Sequence, residues 1–220
     1  MSEEKVYLRP ITAADTPKIV TWRNKDFVRG NFIYQKLFTE EGHMAWLREQ
    51  VEPGHVAQFI ICVEAEENRS AAEHRADAEG DGKIFCANGV GGCTGEKHQA
   101  GREKACREIG SVYLRDIDRE KKKAEYGIFI GEEDALGRGY GVRAAKLMLE
   151  YGFNTLHLEK IFLRVLEDNA GARKSYTKAG FQVIENKRES VELEQGVRNV
   201  LFMEVRRSTW ERTKNNAGAV

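Results

Sequence analysis

The stretch Tyr126-Gly-Ile-Phe-Ile-Gly-Glu-Glu-Asp-Ala-Leu-Gly-Arg-Gly-Tyr-Gly-Val142 constrains the fold more than any other part of the chain. Aromatic and β-branched residues between Ala124 and Ile130 predict a strand. The glycine-rich turn after it opens a predicted helix from about Gly139 to Asn154, with Ala145, Met148, Leu149 and Phe153 on one side. The first N–H groups of a helix have no partner within it, and its dipole makes that end positive. Gly137, Gly139 and Gly141 carry no Cβ, so a ligand can come close to the backbone there, and Arg138 adds a formal positive charge. A diphosphate suits such a place. The dinucleotide fingerprint G-x-G-x-x-G does not fit, because Val142 stands at its third glycine and six residues separate Ile130 from Gly137. Taken alone, the segment also allows a turn that only redirects the chain.

Elements on either side alternate between helix and strand. Val6–Arg9 reads as a strand, and Thr12-Ala-Ala-Asp15 as a capping box before a helix over Thr16–Asn24, with Pro17 tolerated in the first turn. Thr39 starts a second helix carrying Met44, Leu47 and Val51. Strands follow at Val56–Glu64 and Ile109–Arg115, with a polar turn over Asp116–Lys122. Lys160–Leu166 is almost continuously apolar, which predicts a strand buried on both faces. Asp168 is expected to cap a short helix ending at Ala179-Gly180, and Phe181–Ile184 and Val197–Val205 read as a closing antiparallel pair. The class is therefore α/β or α+β with a mixed sheet. The expected organisation is one domain over residues 1–205, a flexible insertion at 65–107, and a polar, fraying tail at 206–220 whose Trp210 can dock.

Charge balance narrows the partners. Lys+Arg and Asp+Glu are 35 each, so no basic excess points to nucleic acid. No apolar run approaches the roughly 20 residues of a membrane span. The acidic start Met1-Ser-Glu-Glu-Lys does not resemble a signal peptide. A cytoplasmic protein with reduced thiols is expected. Cys86, Cys93, His98 and Cys106 are separated by six, four and seven residues, without the tight C-x₂₋₄-C knuckle of a zinc site, so no metal is expected. Cys62, in a strand, reads as core.

Leu136-Gly-Arg-Gly-Tyr-Gly141 resembles the acetyl-CoA pyrophosphate loop of the GNAT superfamily of N-acetyltransferases, (Q/R)-x-x-G-x-(G/A). Gly139 and Gly141 match its two small positions. Leu136 departs from the usual Gln or Arg, as in the subgroup of ribosomal-protein N-terminal acetyltransferases. Asn169-Ala-Gly-Ala172 followed by Tyr176-Thr-Lys-Ala-Gly-Phe181 resembles the superfamily's N-x-x-A-x-x-x-Y-x-x-x-G-F run. The resemblance covers about residues 5–205 without the insertion. It implies acetyl-CoA as cofactor and a mixed, mostly antiparallel sheet of about seven strands flanked by about four helices. It also implies that the strand over Ile128, Phe129 and Ile130 splays from its neighbour to pair with the pantetheine arm. Gly137, Arg138, Gly139, Tyr140, Gly141 and Val142 would hold the diphosphate, with Asn169, Ala172 and Tyr176 along the arm.

Acetyl transfer to an amine needs a neutral nucleophile, donors for the developing oxyanion and a proton for the departing thiolate. A Lys-like amine has a pKa of about 10.4, so a proton must be removed. Glu125, on the strand entering the site, is the candidate base, unless it is only a paired strand carboxylate. Tyr176 is the candidate acid, unless its ring only packs. Asn169 can bind the cofactor or only cap a helix.

The segments Trp22-Arg23-Asn24, Asn31-Phe-Ile-Tyr34 and His43-Met-Ala-Trp46 resemble the acceptor side of members that acetylate nucleotide-linked amino sugars or protein N-termini. On spacing alone Trp22 and Trp46 read as core, and His43 as a surface or satisfied histidine rather than a base. The expected acceptor is a small-molecule amine, such as an amino sugar or polyamine, and the expected assembly a homodimer. The alternatives are a protein N-terminal acetyltransferase and a non-catalytic CoA-binding module.

Overall fold

A computed structural model describes residues 4–64, 106–193 and 195–217. The chain order is β1 (Val6–Pro10), α1 (Thr16–Asn24), α2 (Asp26–Arg29), α3 (Glu40–Trp46), β2 (Ala57–Glu64), β3 (Cys106–Asp118), β4 (Lys123–Ile130), α4 (Tyr140–Glu150), β5 (Lys160–Leu166), α5 (Ala170–Ala179), β6 (Gln182–Leu193), β7 (Gly196–Arg206) and α6 (Arg207–Ala217). The strands form one seven-stranded sheet in the order β1-β2-β3-β4-β5-β7-β6. All neighbours are antiparallel except β4 and β5, which run parallel and are joined by the crossover through α4. This is the mixed sheet expected from the residue pattern, and the mostly antiparallel, seven-stranded one that the resemblance implies.

The local signals explain most starts and stops. The capping box at Thr12 and Asp15 forms ahead of α1, and Pro17 lies in its first turn. The Thr39 hydroxyl accepts from the Gly42 amide at 3.1 Å and caps α3. Gly180, at φ +111°, ends α5. The cap of α5 differs from expectation: it is Asn169, whose Oδ1 accepts from the Ala172 amide at 3.0 Å. The Asp168 carboxylate instead takes the Arg198 Nε donor at 2.9 Å, and a carboxylate held in a salt bridge is withdrawn from capping.

Two apolar layers cover the sheet. On one face α4 buries Tyr140, Ala144, Ala145, Met148 and Leu149 against Ile61, Val112, Leu114, Tyr126 and Ile161. On the other, Ile19, Trp22 and Val28 pack on Ile60, Cys62 and Phe129. Trp22 and Cys62 are core residues, as expected, whereas Trp46, expected in the core, is only partly buried and lines a cavity.

β5 departs from the expectation of burial on both faces. Ile161, Leu163, Val165 and Leu166 are buried, whereas Phe162 and Arg164 are only half-buried. Arg164 lines a cavity on that side. Two ends are more regular than expected. Arg207–Ala217 is a helix whose Trp210 ring lies 5.1 Å from Phe153, and β6 runs on to Leu193. Of the insertion, Cys106 and Arg107 belong to β3, and the remainder lies outside the described residues. Among the described residues no helix is long and apolar enough to cross a membrane, and no cluster of His, Cys, Asp or Glu could hold a metal ion.

Candidate active site

The parallel pair β4–β5 is joined at only three positions: Lys123 with Lys160, Ala124 with Ile161 and Glu125 with Phe162. Beyond Glu125 the strands separate, while β4 stays paired to β3 through Ile130. Backbone groups of β4 on the β5 side are thereby left for an extended guest. A cavity of about 1060 Å³ occupies the opening. Glu125, Ile128, Phe129, Ile130, Gly137, Gly139, Tyr140, Gly141, Val142, Asn169, Ala172 and Tyr176 all line it.

At its mouth the glycine turn does what only glycine does cheaply. Gly137 and Gly139 sit at φ +74° and +79°, the left-handed region, with open space where a Cβ would be. Gly139 is the N-cap of α4 and turns the first amides of the helix toward the cavity end. Arg138 does not join the lining residues. Its guanidinium lies 3.3 Å from the Glu4 carboxylate, which also accepts from the Tyr140 hydroxyl. Opposite-charge attraction to the N-terminal segment thus turns it away.

Tyr176 stands edge-on to Tyr126 and to Phe181, each at 6.0 Å. Burial, with Tyr113 nearby, pushes its phenol pKa well above the usual tyrosine value. It therefore holds its proton at neutral pH. Tyr126 is a residue the sequence reading missed: its hydroxyl is buried without a hydrogen-bond partner, and strand alternation identifies it only as core. Asn169 has both ends of its amide engaged, since Nδ2 donates to Asn31 Oδ1 at 2.9 Å.

On the opposite side of β4, Glu125 sits between two guanidiniums. Its Oε1 accepts from Arg115 Nη2 and Arg164 Nε, both at 3.0 Å, and Oε2 from Arg164 Nη2 at 3.4 Å. A carboxylate offers about four lone-pair sites, so these three bonds leave one on Oε2 unused, and Glu125 lines the cavity. Tyr113 lies across Gly127, where any Cβ would stand 2.3 Å from its ring. Trp46 donates its indole N–H to Gln58 Oε1 at 3.1 Å, and Gln58 donates to Ser111 at 3.1 Å.

His43 is buried, at 2% exposure, and not fully satisfied as its sequence context suggested. Nδ1 lies 2.9 Å from the Thr16 hydroxyl, and Nε2 has no partner. Burial lowers its pKa below the usual 6.5, so the ring is neutral at pH 7. No spacing rule links Thr16 to a histidine 27 residues away, which is why this polarity was not legible.

A splayed parallel strand pair, a glycine-capped helix N-terminus at its mouth and a polar pocket behind it suit an extended, phosphate-bearing ligand beside a second, polar one. Residues 5–182 match the sequence profile of the Acetyltransferase (GNAT) domain. The chain belongs to the GNAT acetyltransferase family, whose acyl donor is acetyl-CoA. It is 38% identical over 91 residues to spermidine N(1)-acetyltransferase of Escherichia coli strain K12, covering 41% of this chain and 42% of that protein. It is 34% identical over 74 residues to an N-acetyltransferase 9-like protein of Nematostella vectensis, covering 34% and 37%. These matched segments span about two-fifths of the relatives' lengths. The fold superimposes on spermidine N-acetyltransferase from Vibrio cholerae, solved with CoA and spermine, at a TM-score of 0.68 and 18% identity, over 93% of this chain and 97% of that one.

Proposed function

We propose that the chain is an acetyl-CoA-dependent N-acetyltransferase that moves an acetyl group from the thioester to a primary amine of a small molecule by direct attack. The observation that carries this is the separation of β4 from β5 after Glu125, which opens one cavity onto both the glycine-capped end of α4 and the polar face of β4. Its supports are the family membership and relatives that act on spermidine. Within the reading, the amides of α4 take the diphosphate and backbone N–H groups of Ile128–Ile130 polarise the thioester carbonyl. The open lone pair of Glu125 receives the proton of the acceptor ammonium, freeing the amine to attack. Tyr176 donates its proton to the departing thiolate. The acceptor classes are an amino sugar or a polyamine, the location is the cytoplasm, and the assembly is a homodimer.

A thiol-release screen of primary amines with acetyl-CoA tests the reading: acetyl-CoA-dependent release with at least one amine is expected, and none across the screen sinks it. Glu125→Gln keeps the size of the side chain and removes its charge. It is expected to lower kcat/KM by about 10²–10⁴-fold, with the loss recovered in part as pH rises and deprotonates the amine in solution. A loss that does not change with pH contradicts proton acceptance by Glu125.

A further inference from the structure

Arg23 closes the last turn of α1 and is 6% exposed. Its guanidinium carbon lies 3.4 Å from the centre of the Phe32 ring, 4.5 Å from Phe38 and 5.8 Å from Phe129. Stacked rings make the burial of a cation tolerable, yet they engage the faces of the guanidinium and leave its in-plane N–H donors unused. Nη1 is buried without a hydrogen-bond partner, and no carboxylate pairs with Arg23 among the described residues. Burial lowers its pKa to about 10, so the group is still charged at neutral pH. An unpaired buried charge and an unmade charged hydrogen bond are both costly. Arg23 lines the cavity, so a small shift of its guanidinium offers that donor to a ligand.

The surroundings fix the sign of that ligand. Arg23, Arg115 and Arg164 line the cavity, as do Lys174 and Lys178 of α5 on the donor side, and among the described residues Glu125 is its one acidic residue. Glu125 is already shared by two of the arginines. A site for a polycation would set several carboxylates against its ammonium groups, and this one does the reverse.

We infer that the acceptor is a primary amine that also carries an oxyanion, a carboxylate or a phosphate, which the unpaired guanidinium of Arg23 binds within its Phe32–Phe38 clamp. The inference rests on the acetyltransferase reading and selects within its acceptor classes: an anionic amino sugar or amino acid is favoured over a polyamine. Arg23 acts as a specificity residue, holding the anion while Glu125 meets the ammonium.

Two matched pairs isolate the anion. Lysine differs from cadaverine by one carboxylate, and glucosamine 6-phosphate from glucosamine by one phosphate. In thiol release, at least one anionic member is expected to exceed its partner in kcat/KM by about 10- to 100-fold, the size of a charged hydrogen bond. Which pair responds distinguishes carboxylate from phosphate. Arg23→Met should collapse that ratio toward one, and Arg23→Lys, which keeps the charge but loses the fork, should leave it intermediate. A ratio near one in both pairs, a ratio that survives Arg23→Met, or spermidine exceeding both anionic amines overturns the inference. Calorimetry of the same pairs on the CoA-bound protein separates the two claims. Turnover without an Arg23-dependent preference removes the anion site alone, whereas an Arg23-dependent binding preference without turnover removes the transferase and keeps the site. Absence of both removes both.

Discussion

Tyr176→Phe is expected to lower kcat by about 10²–10⁴-fold while leaving acetyl-CoA affinity within a few-fold of the parent protein. The substitution deletes one hydroxyl and keeps the ring that stands edge-on to Tyr126 and Phe181, so packing around α5 should hold. What is lost is a proton source. Burial keeps that phenol protonated at neutral pH, and a thiolate leaving without a proton is a poorer leaving group in a dry site. The effect should fall on kcat rather than KM, because the proton is needed only as the C–S bond breaks. The rival reading as a non-catalytic CoA-binding module predicts that the variant loses nothing measurable. Single-turnover thiol release, with affinity measured separately by calorimetry, distinguishes the two.

The largest stability effect is expected at Phe153→Ala, about 3–5 kcal/mol lower in unfolding free energy by denaturant titration. Phe153 has no exposed surface and lies in the wide turn that extends α4. Its ring meets Trp210 of α6, and its carbonyl accepts from Arg207, which also donates to the Leu158 carbonyl at 3.1 Å. Truncation therefore leaves a cavity where α6 docks on the main core. A loss below about 1 kcal/mol would mean that α6 closes over the gap and that its docking matters little.

Much of the frame was written in local signals. The capping residues Thr12 and Thr39, the glycines at 137, 139 and 180, and the apolar rows of α4 and β2 each act within a few residues, so they could be read in order along the chain. The mis-assigned cap at Asp168 shows the limit: a salt bridge to Arg198, 30 residues away, decides between two adjacent capping residues. Arg164 shows the same limit for burial, since an apolar strand reads as covered on both faces until the fold leaves one face open. The tail looked polar because α6 is amphipathic and buries little beyond Trp210.

Glu125 and Tyr176 were singled out for their residue type and motif position, and the structure brings both to one cavity. The Arg115–Glu125–Arg164 cluster, the unsatisfied Nε2 of His43 and the aromatic clamp on Arg23 were not legible. Each forms only when strands pair or helices dock, and none has a spacing of its own.

The central claim is that the opening between β4 and β5 takes acetyl-CoA. Calorimetric titration of the full chain with acetyl-CoA, beside NADH as a control diphosphate, tests it most directly. The account predicts one site per chain with micromolar affinity for acetyl-CoA and no binding of NADH. Absence of acetyl-CoA binding, or equal binding of both, would contradict it.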